Sequence, residues 1–388
     1  MNPQPQRRSP RVLFAVTEDW YFWSHRKPLS DYLQKLGYKI VLAARFSRYE
    51  SYLAAAGIRG IRIPFERSLK RPWQDFRAII GLWTAVRSEH PDIVHLVSLK
   101  PILLSCLALV THRHIHFIAA FTGMGYLFSS SDRSARWLRW CLIIGLRLLL
   151  RRPNVWIIVQ NPDDLALLQT HKVGIPDRIR LIPGVGVDTS VFTFSELKFS
   201  GPCLVILPAR LIRDKGIEEF VEAARKIKQS DPTIRFVVVG AEDPDNPASI
   251  ESSVVDRWLR KGIIEWWGHR DDMTAVYQQA RIVCLPSYRE GMPKVLLEAA
   301  ACGRPLVASD VAGCREVCRH GVNGTLVPPR ASDELATAIL NVMSSSALQV
   351  AYGTAGRRIV ESEYSIEQIG QQTHECYENI LSDHAGGK

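Results

Sequence analysis

Short apolar runs rich in Val, Ile and Leu recur along this chain, each separated from the next by a stretch long enough for a helix. In the first half they are VLFAVT (12–17), KIVLAA (39–44), IRIP (61–64), DIVHLVS (92–98), HFIAAF (116–121) and VWIIVQN (155–161), with helices expected near 26–36, 48–56, 73–89 and 101–110. Strands that are apolar on both faces and alternate with helices require a parallel sheet covered on both sides, because only helical crossovers return the chain in the same direction. The pattern restarts at CLVILPA (203–209) and continues through RFVVVG (235–240), IIEWWG (263–268), RIVCLPS (281–287), PLVAS (305–309) and TLVPP. The 388 residues exceed the ~250–300 that one core holds. The expectation is therefore two doubly wound α/β domains in series, 1–190 and 191–364, with 189–201 as linker. The C-terminal segment 365–388, helical over 365–381, is expected to return to the first domain. Ligands of such sheets sit beyond the carboxyl ends of the strands, here in a cleft between the domains.

Charge is unevenly spread over this frame. Lys and Arg outnumber Asp and Glu by 27 − 13 = +14 in residues 1–190, and the remainder carries 22 − 26 = −4, giving the net +10. The first domain is thus expected to face something anionic. Residues 134–152, SARWLRWCLIIGLRLLLRR, interleave Trp137, Trp140 and leucines with Arg136, Arg139, Arg147, Arg151 and Arg152. The uncharged run is far shorter than the ~20 residues that cross a bilayer, so two readings stand: a helix lying in a membrane interface, or a buried helix with arginine stems at its ends. Eight scattered cysteines fit a reducing compartment, and Cys314 and Cys318 lack a second ligand pair at zinc spacing, so no metal site is expected. The polar start, MNPQPQRRSPR, reads as a tail and not as a secretory signal.

The densest cluster of chemistry is PSYREGMPKVLLEAAACGRP (286–305). A strand ends at Pro286-Ser287, a loop carries Arg289, Glu290 and Gly291, and Pro293 suits the first turn of a helix. The loop therefore delivers a helix N-terminus, with its unpaired N–H groups, to the strand ends, and that is a receptor for phosphate. Gly291, Met292, Pro293, Lys294 and Val295 line this start, and Glu298, further along, is placed to take two ribose hydroxyls. Two glutamates eight residues apart are ordinarily solvated, but Gly291 beside one and AAACG after the other permit close backbone approach.

With these residues in place, the sequence resembles the retaining GT-B glycosyltransferases of family 4. Their E-x7-E pattern is matched by Glu290 and Glu298 in REGMPKVLLEA, followed by ACGRPLVASDVAGCREV and HGVNGTLVPP. In PARLIRDKG, Arg210 and Lys215 match the family's cationic pair on the donor diphosphate. VSLKP, FTGMGYLF, QNPDD and IPGVGVD bring the first half closer to the subgroup that builds bacterial O-antigen, capsule and other glycans on polyprenyl diphosphate. The resemblance implies a nucleotide-sugar donor, UDP-linked by expectation, a lipid-linked saccharide acceptor, transfer with retention, and no cofactor. It implies Glu290, Arg210 and Lys215 as catalytic residues, with Glu290 orienting the sugar hydroxyls. It also implies a cytoplasmic protein peripheral to the inner face of the membrane. An Arg fork and a Lys ammonium can neutralise the leaving diphosphate in place of a metal.

The sequence departs from the family in two places. TEDWYFWSHRKP replaces the glycine-rich loop after the first strand, and Thr122 stands where a histidine is usual. Acceptor-side candidates are accordingly His25, His95, Lys100, Thr122 and Gly123. Asp243-Pro-Asp245 mimics a metal-binding D-x-D but lies in a Pro-rich loop and reads as a turn. A nucleotide-sugar epimerase on the same scaffold is the competing enzyme class. A nucleic-acid-binding role has only the basic half in its favour, since no recognition motif accompanies it.

Overall fold

The computed structural model describes residues 9–66, 72–108, 112, 115–124, 133–244 and 246–385. It divides into two compact units, Met1–Gly186 with Ile366–Lys388, and Val187–Ser365. The first is built on seven parallel strands, β1 (Arg11–Glu18), β2 (Lys39–Arg45), β3 (Arg59–Arg62), β4 (Ile93–Val97), β5 (His116–Ala120), β6 (Val155–Val159) and β7 (Ile179–Leu181). Between them run α1 (Asp19–His25), α2 (Lys27–Lys35), α3 (Glu50–Ala55), α4 (Pro72–Glu89), α5 (Leu99–Ala108), α6 (Arg133–Leu150) and α7 (Pro162–Thr170). The strand order is β3-β2-β1-β4-β5-β6-β7, so the direction of winding reverses between β1 and β4.

Alternation along each strand sends side chains to two separate cores. Leu13, Ala15, Val94 and Leu96 enter the core beneath α4, α5 and α6, whereas Val12, Phe14, Val16, Ile93 and Val97 enter the opposite one. Each fully buried Val, Leu or Ile contributes roughly 1.5–3 kcal/mol, which is why these strands carry so few polar residues.

The second unit holds β8 (Leu204–Pro208), β9 (Arg235–Val239), β10 (Glu265–Trp266), β11 (Ile282–Leu285), β12 (Leu306–Ser309) and β13 (Gly324–Val327), in the order β10-β9-β8-β11-β12-β13. Its helices are α8 (Ile217–Ser230), α9 (Ser252–Arg260), α10 (Met273–Gln279), α11 (Lys294–Ala301), α12 (Ala312–Val317), α13 (Ser332–Met343) and α14 (Ser346–Ile359). IIEWWG shortens to the two-residue edge strand β10, because Ile263 and Ile264 are drawn into the core ahead of it. The expected linker has no regular structure but is not loose. Phe192 packs on this unit's core, Arg357 Nη1 donates to the Phe192 carbonyl at 2.8 Å, and Arg304 donates to Ser195 Oγ at 2.9 Å.

The last helix, α15 (Ile366–Ala385), packs against α2 in the first unit. Its Ile369, Tyr377 and Ile380 complete the core on the side of Phe14. No single helix among the described residues is long and apolar enough to cross a membrane.

Candidate active site

Winding in the second unit reverses between β8 and β11, and both chemical motifs leave from the carboxyl ends of those two strands. β8 runs into Arg210 and Lys215, and β11 runs into the loop bearing Glu290. At such a reversal the crossovers diverge to opposite faces, which opens the strand ends to a ligand. The sequence cannot place a residue at this point without the strand order.

The two loops are clamped by backbone contact. Gly216 has φ +70°, and a Cβ built there would lie 2.0 Å from the Pro286 carbonyl oxygen, so only glycine lets the loop after β8 meet the loop after β11. The Tyr288 N–H donates to the Asp214 carbonyl at 2.9 Å, Arg289 pairs with Asp214 at 2.5 Å, and the Tyr288 hydroxyl donates to Glu219 at 2.7 Å.

This clamp sets Lys215 Nζ 2.5 Å from Glu290 Oε1, the same oxygen that accepts from Ser287 Oγ at 2.7 Å. Oε2 of Glu290 has no partner among the described residues. The carboxylate is therefore fixed by one oxygen and offers the other, with only 11% of its side chain exposed. Arg210 Nη1 pairs with Asp243, whose side chain is buried. Asp243 also anchors its own turn through the N–H of Asn246, so it serves as turn residue and as partner of Arg210; Asp245 lies outside the described residues. Cations and carboxylates around the strand ends thus come in matched pairs.

Glu298 is held differently. It lies in α11 at 5% exposure, accepting from the Tyr277 hydroxyl at 2.9 Å on Oε2 and from Lys294 Nζ at 2.6 Å on Oε1. Burial and the adjacent Glu298 charge drive the Tyr277 hydroxyl well above its ordinary pKa, so it stays a donor. Both oxygens therefore have a donor within the fold. Pro293 is the residue before the helix and not within its first turn, since its ψ of 100° is extended. No side chain caps α11, so its first N–H groups lack the side-chain acceptor that a capping residue would supply. Met292 and Val295, both half-buried, pack against the core. Gly291 lies under Gly313, whose own Cβ would fall 2.4 Å from the Gly291 carbonyl oxygen.

The first-unit candidates are dispersed. His25 ends α1, stacked on Tyr21 at 4.2 Å with Nδ1 2.6 Å from Ser24 Oγ. His95 is not near a strand end as expected; it sits mid-strand in β4, 1% exposed, with Nδ1 2.7 Å from the Tyr377 hydroxyl. Burial, and then the Arg26 charge, hold its pKa well below the ordinary range. Lys100 pairs with Asp75 at 2.6 Å. Thr122 Oγ1 lies 3.4 Å from Ser98 Oγ, and Gly123 adopts φ 124°. The rest of that loop, including Tyr126, falls outside the described residues.

Sequence reasoning missed the residues that hold this loop. Asp164 accepts the Met124 N–H at 3.1 Å and is fixed by Asn161, the N-cap of α7. Asn161 and Asp164 both stand in QNPDD, where an N-cap with its partner three residues on was a usable signal. Tyr277 and Asp243 gave no such signal.

Solved structures with the same architecture include sucrose-phosphate synthase from Thermosynechococcus elongatus, with TM-score 0.80, 22% identity, and 97% of this chain and all of that one covered. Anabaena HepE, solved with UDP and glucose, has TM-score 0.73 and 17% identity, with 95% and 99% covered. Two parallel-sheet α/β domains of this kind define a GT-B glycosyltransferase fold. Residues 27–191 match Glycosyltransferase Family 4 and residues 202–345 match Glycosyl transferases group 1. The chain belongs to the family 4 glycosyltransferases. Among curated relatives, N,N'-diacetylbacillosaminyl-diphospho-undecaprenol alpha-1,3-N-acetylgalactosaminyltransferase of Campylobacter jejuni is 24% identical over 96% of this chain and all of its own. The putative glycosyltransferase EpsD of Bacillus subtilis is 23% identical over 90% of this chain and 91% of its own.

Proposed function

We propose that this glycosyltransferase moves a sugar from a UDP-linked donor to a polyprenyl-diphosphate-linked saccharide, with retention of configuration and without a metal. The observation that carries the reading is the convergence of Arg210, Lys215, Glu290 and Glu298 at the winding reversal of the second sheet. Arg210, Lys215 and the uncapped start of α11 bind the diphosphate and take up the charge that grows as the glycosidic bond breaks. Glu290, anchored on Oε1, presents Oε2 to a donor-sugar hydroxyl. The leaving phosphate oxygen receives the acceptor's proton on the face it departs, so no side-chain nucleophile is required. Glu298 and Tyr277 hold the ribose. The acceptor class is supported by the undecaprenol-linked substrate in the Campylobacter relative's name, and the nucleotide by the UDP in the HepE structure.

A membrane-facing side is proposed for the first unit, on the cytoplasmic face. α6 buries Leu146 and Leu150 yet exposes 67% of Trp137, 61% of Trp140 and 74% of Leu148, so it is both a core helix and a surface one. α4, packed on the same sheet face, exposes Trp73, Phe76, Ile80 and Trp83. Arg147 is half-buried, its Nε donating to the His171 carbonyl.

A panel of UDP- and GDP-sugars, each offered with a lipid-diphosphate saccharide in the presence of EDTA, tests the reaction. Transfer from a UDP-sugar giving an α-linked product from an α-donor is expected. Loss of all transfer in EDTA, an inverted product, or epimerisation of donor alone overturns it. For the membrane side, Trp137→Ser with Trp140→Ser is expected to release the protein from anionic vesicles; undiminished binding refutes that part.

A further inference from the structure

The first unit buries a cation that none of the foregoing uses. Arg26 stands at the junction of α1 and α2, 4% exposed, and no carboxylate among the described residues pairs with it. Its Nε is enclosed without any hydrogen-bond partner. One turn on, at i+4, Ser30 is fully buried and its Oγ is also unpartnered. His95, whose ring feels the Arg26 charge, has Nδ1 against the Tyr377 hydroxyl and Nε2 with no partner. Three enclosed polar atoms, Arg26 Nε at the α1–α2 junction, Ser30 Oγ one turn on in α2 and His95 Nε2 in β4, are thus left without a partner. A guanidinium this far removed from water without an anion costs several kcal/mol, and a fold retains such a group where a ligand completes it.

The chemistry of the set specifies the ligand. A guanidinium has five N–H donors and no acceptor, the serine hydroxyl and an imidazole N–H can both donate, and no acid among the described residues pairs with Arg26. The complement is a compact anion with several acceptor oxygens, for which the Arg fork is suited. We propose that Arg26, Ser30 and His95 form a receptor in the first unit for a phosphate-class anion. Its assignment as the seat of the acceptor's diphosphate rests on the lipid-linked reading above, whereas anion binding itself does not.

The test is a titration of the intact protein with sodium pyrophosphate against NaCl of equal ionic strength, read by thermal midpoint and by the ring nitrogen signals of His95. Pyrophosphate is expected to raise the midpoint and shift the His95 signals. Arg26→Gln is expected to bind at least about tenfold more weakly, the loss of a charge-assisted contact. Without the anion it should melt no lower than wild type, since its buried charge is gone. Equal stabilisation of both proteins, or none of the wild type, overturns the proposal. Should the variant fail to fold, unmoved His95 signals in the wild type do the same. A short-chain prenyl diphosphate is the second arm. Competition with pyrophosphate supports the acceptor assignment, and binding of the free anion alone overturns that assignment while leaving the receptor. Neither arm requires turnover, so a failed transfer assay and a failed anion titration are separable.

Discussion

Replacing Lys215 by Met is the sharpest perturbation of the second unit, because Lys215 has a structural partner and a proposed chemical task at once. Its ammonium sits 2.5 Å from Glu290 Oε1, with 23% and 11% of the two side chains exposed. At an effective dielectric near 20 two unit charges 4 Å apart attract by about 4 kcal/mol, most of which offsets their desolvation. A hydrogen bond to a charged group leaves about 1.5–3 kcal/mol net, and Lys215→Met should destabilise the protein by roughly that amount. Glu290→Gln retains a group that accepts from Ser287 and should cost less, about 1 kcal/mol. If the pair is coupled, the double variant recovers about 1–2 kcal/mol relative to the sum of the singles, and urea denaturation of all four proteins measures this. Activity follows a different rule. Every variant lacking Lys215 should lose about 10²–10³-fold in transfer, the double variant included, because the developing charge has lost a donor. Additive stabilities refute the coupling, and a double variant that regains turnover along with stability refutes the catalytic assignment.

Gly216→Ala places a Cβ against the Pro286 carbonyl at positive φ, both atoms belonging to backbone, and should cost about 3 kcal/mol, seen as a lowered thermal midpoint. Tyr277→Phe leaves Glu298 Oε2 without its buried donor; a loss of about 1–2 kcal/mol in stability and weaker UDP binding by calorimetry are expected. Asp19 is pushed up by burial but pulled lower on balance by the N–H groups of Tyr49, Arg48 and Ser47 and the Ser47 hydroxyl. Its folded pKa lies below the unfolded one, so its contribution is complete above the unfolded pKa near 4 and is lost as pH falls through the folded value. Asp19→Asn should therefore destabilise the protein by about 2 kcal/mol at pH 7, with the difference from wild type shrinking below pH 4 in urea titrations.

How far the sequence could be read differs between the two halves. In the second, REGMPKVLLEA and PARLIRDKG each lie on one contiguous strand–loop–helix passage, so local chemistry, Gly291 beside Glu290 and small residues after Glu298, marks the glutamate loop, while Arg210 and Lys215 are marked by their resemblance to the family's motif. In the first, His95 and Lys100 lie close to expected strand ends, yet one is enclosed in the core under α15 and the other is paired with Asp75. Neither partner is near in sequence, and Tyr377 is 282 residues from His95.

By itself, then, the sequence determined the strand–helix alternation, the two-domain division and the residue types of the donor loops. These depend on periodicity and on turn chemistry, which act over a few residues. Only the tertiary structure decided that the loops after β8 and β11 meet, that Asp243 pairs with Arg210 and Glu290 with Lys215, and that Arg26 is buried with no acid paired to it among the described residues. Those outcomes depend on strand order and on which side chains are excluded from water together. Both are properties of the packed chain, to which no local window of sequence has access.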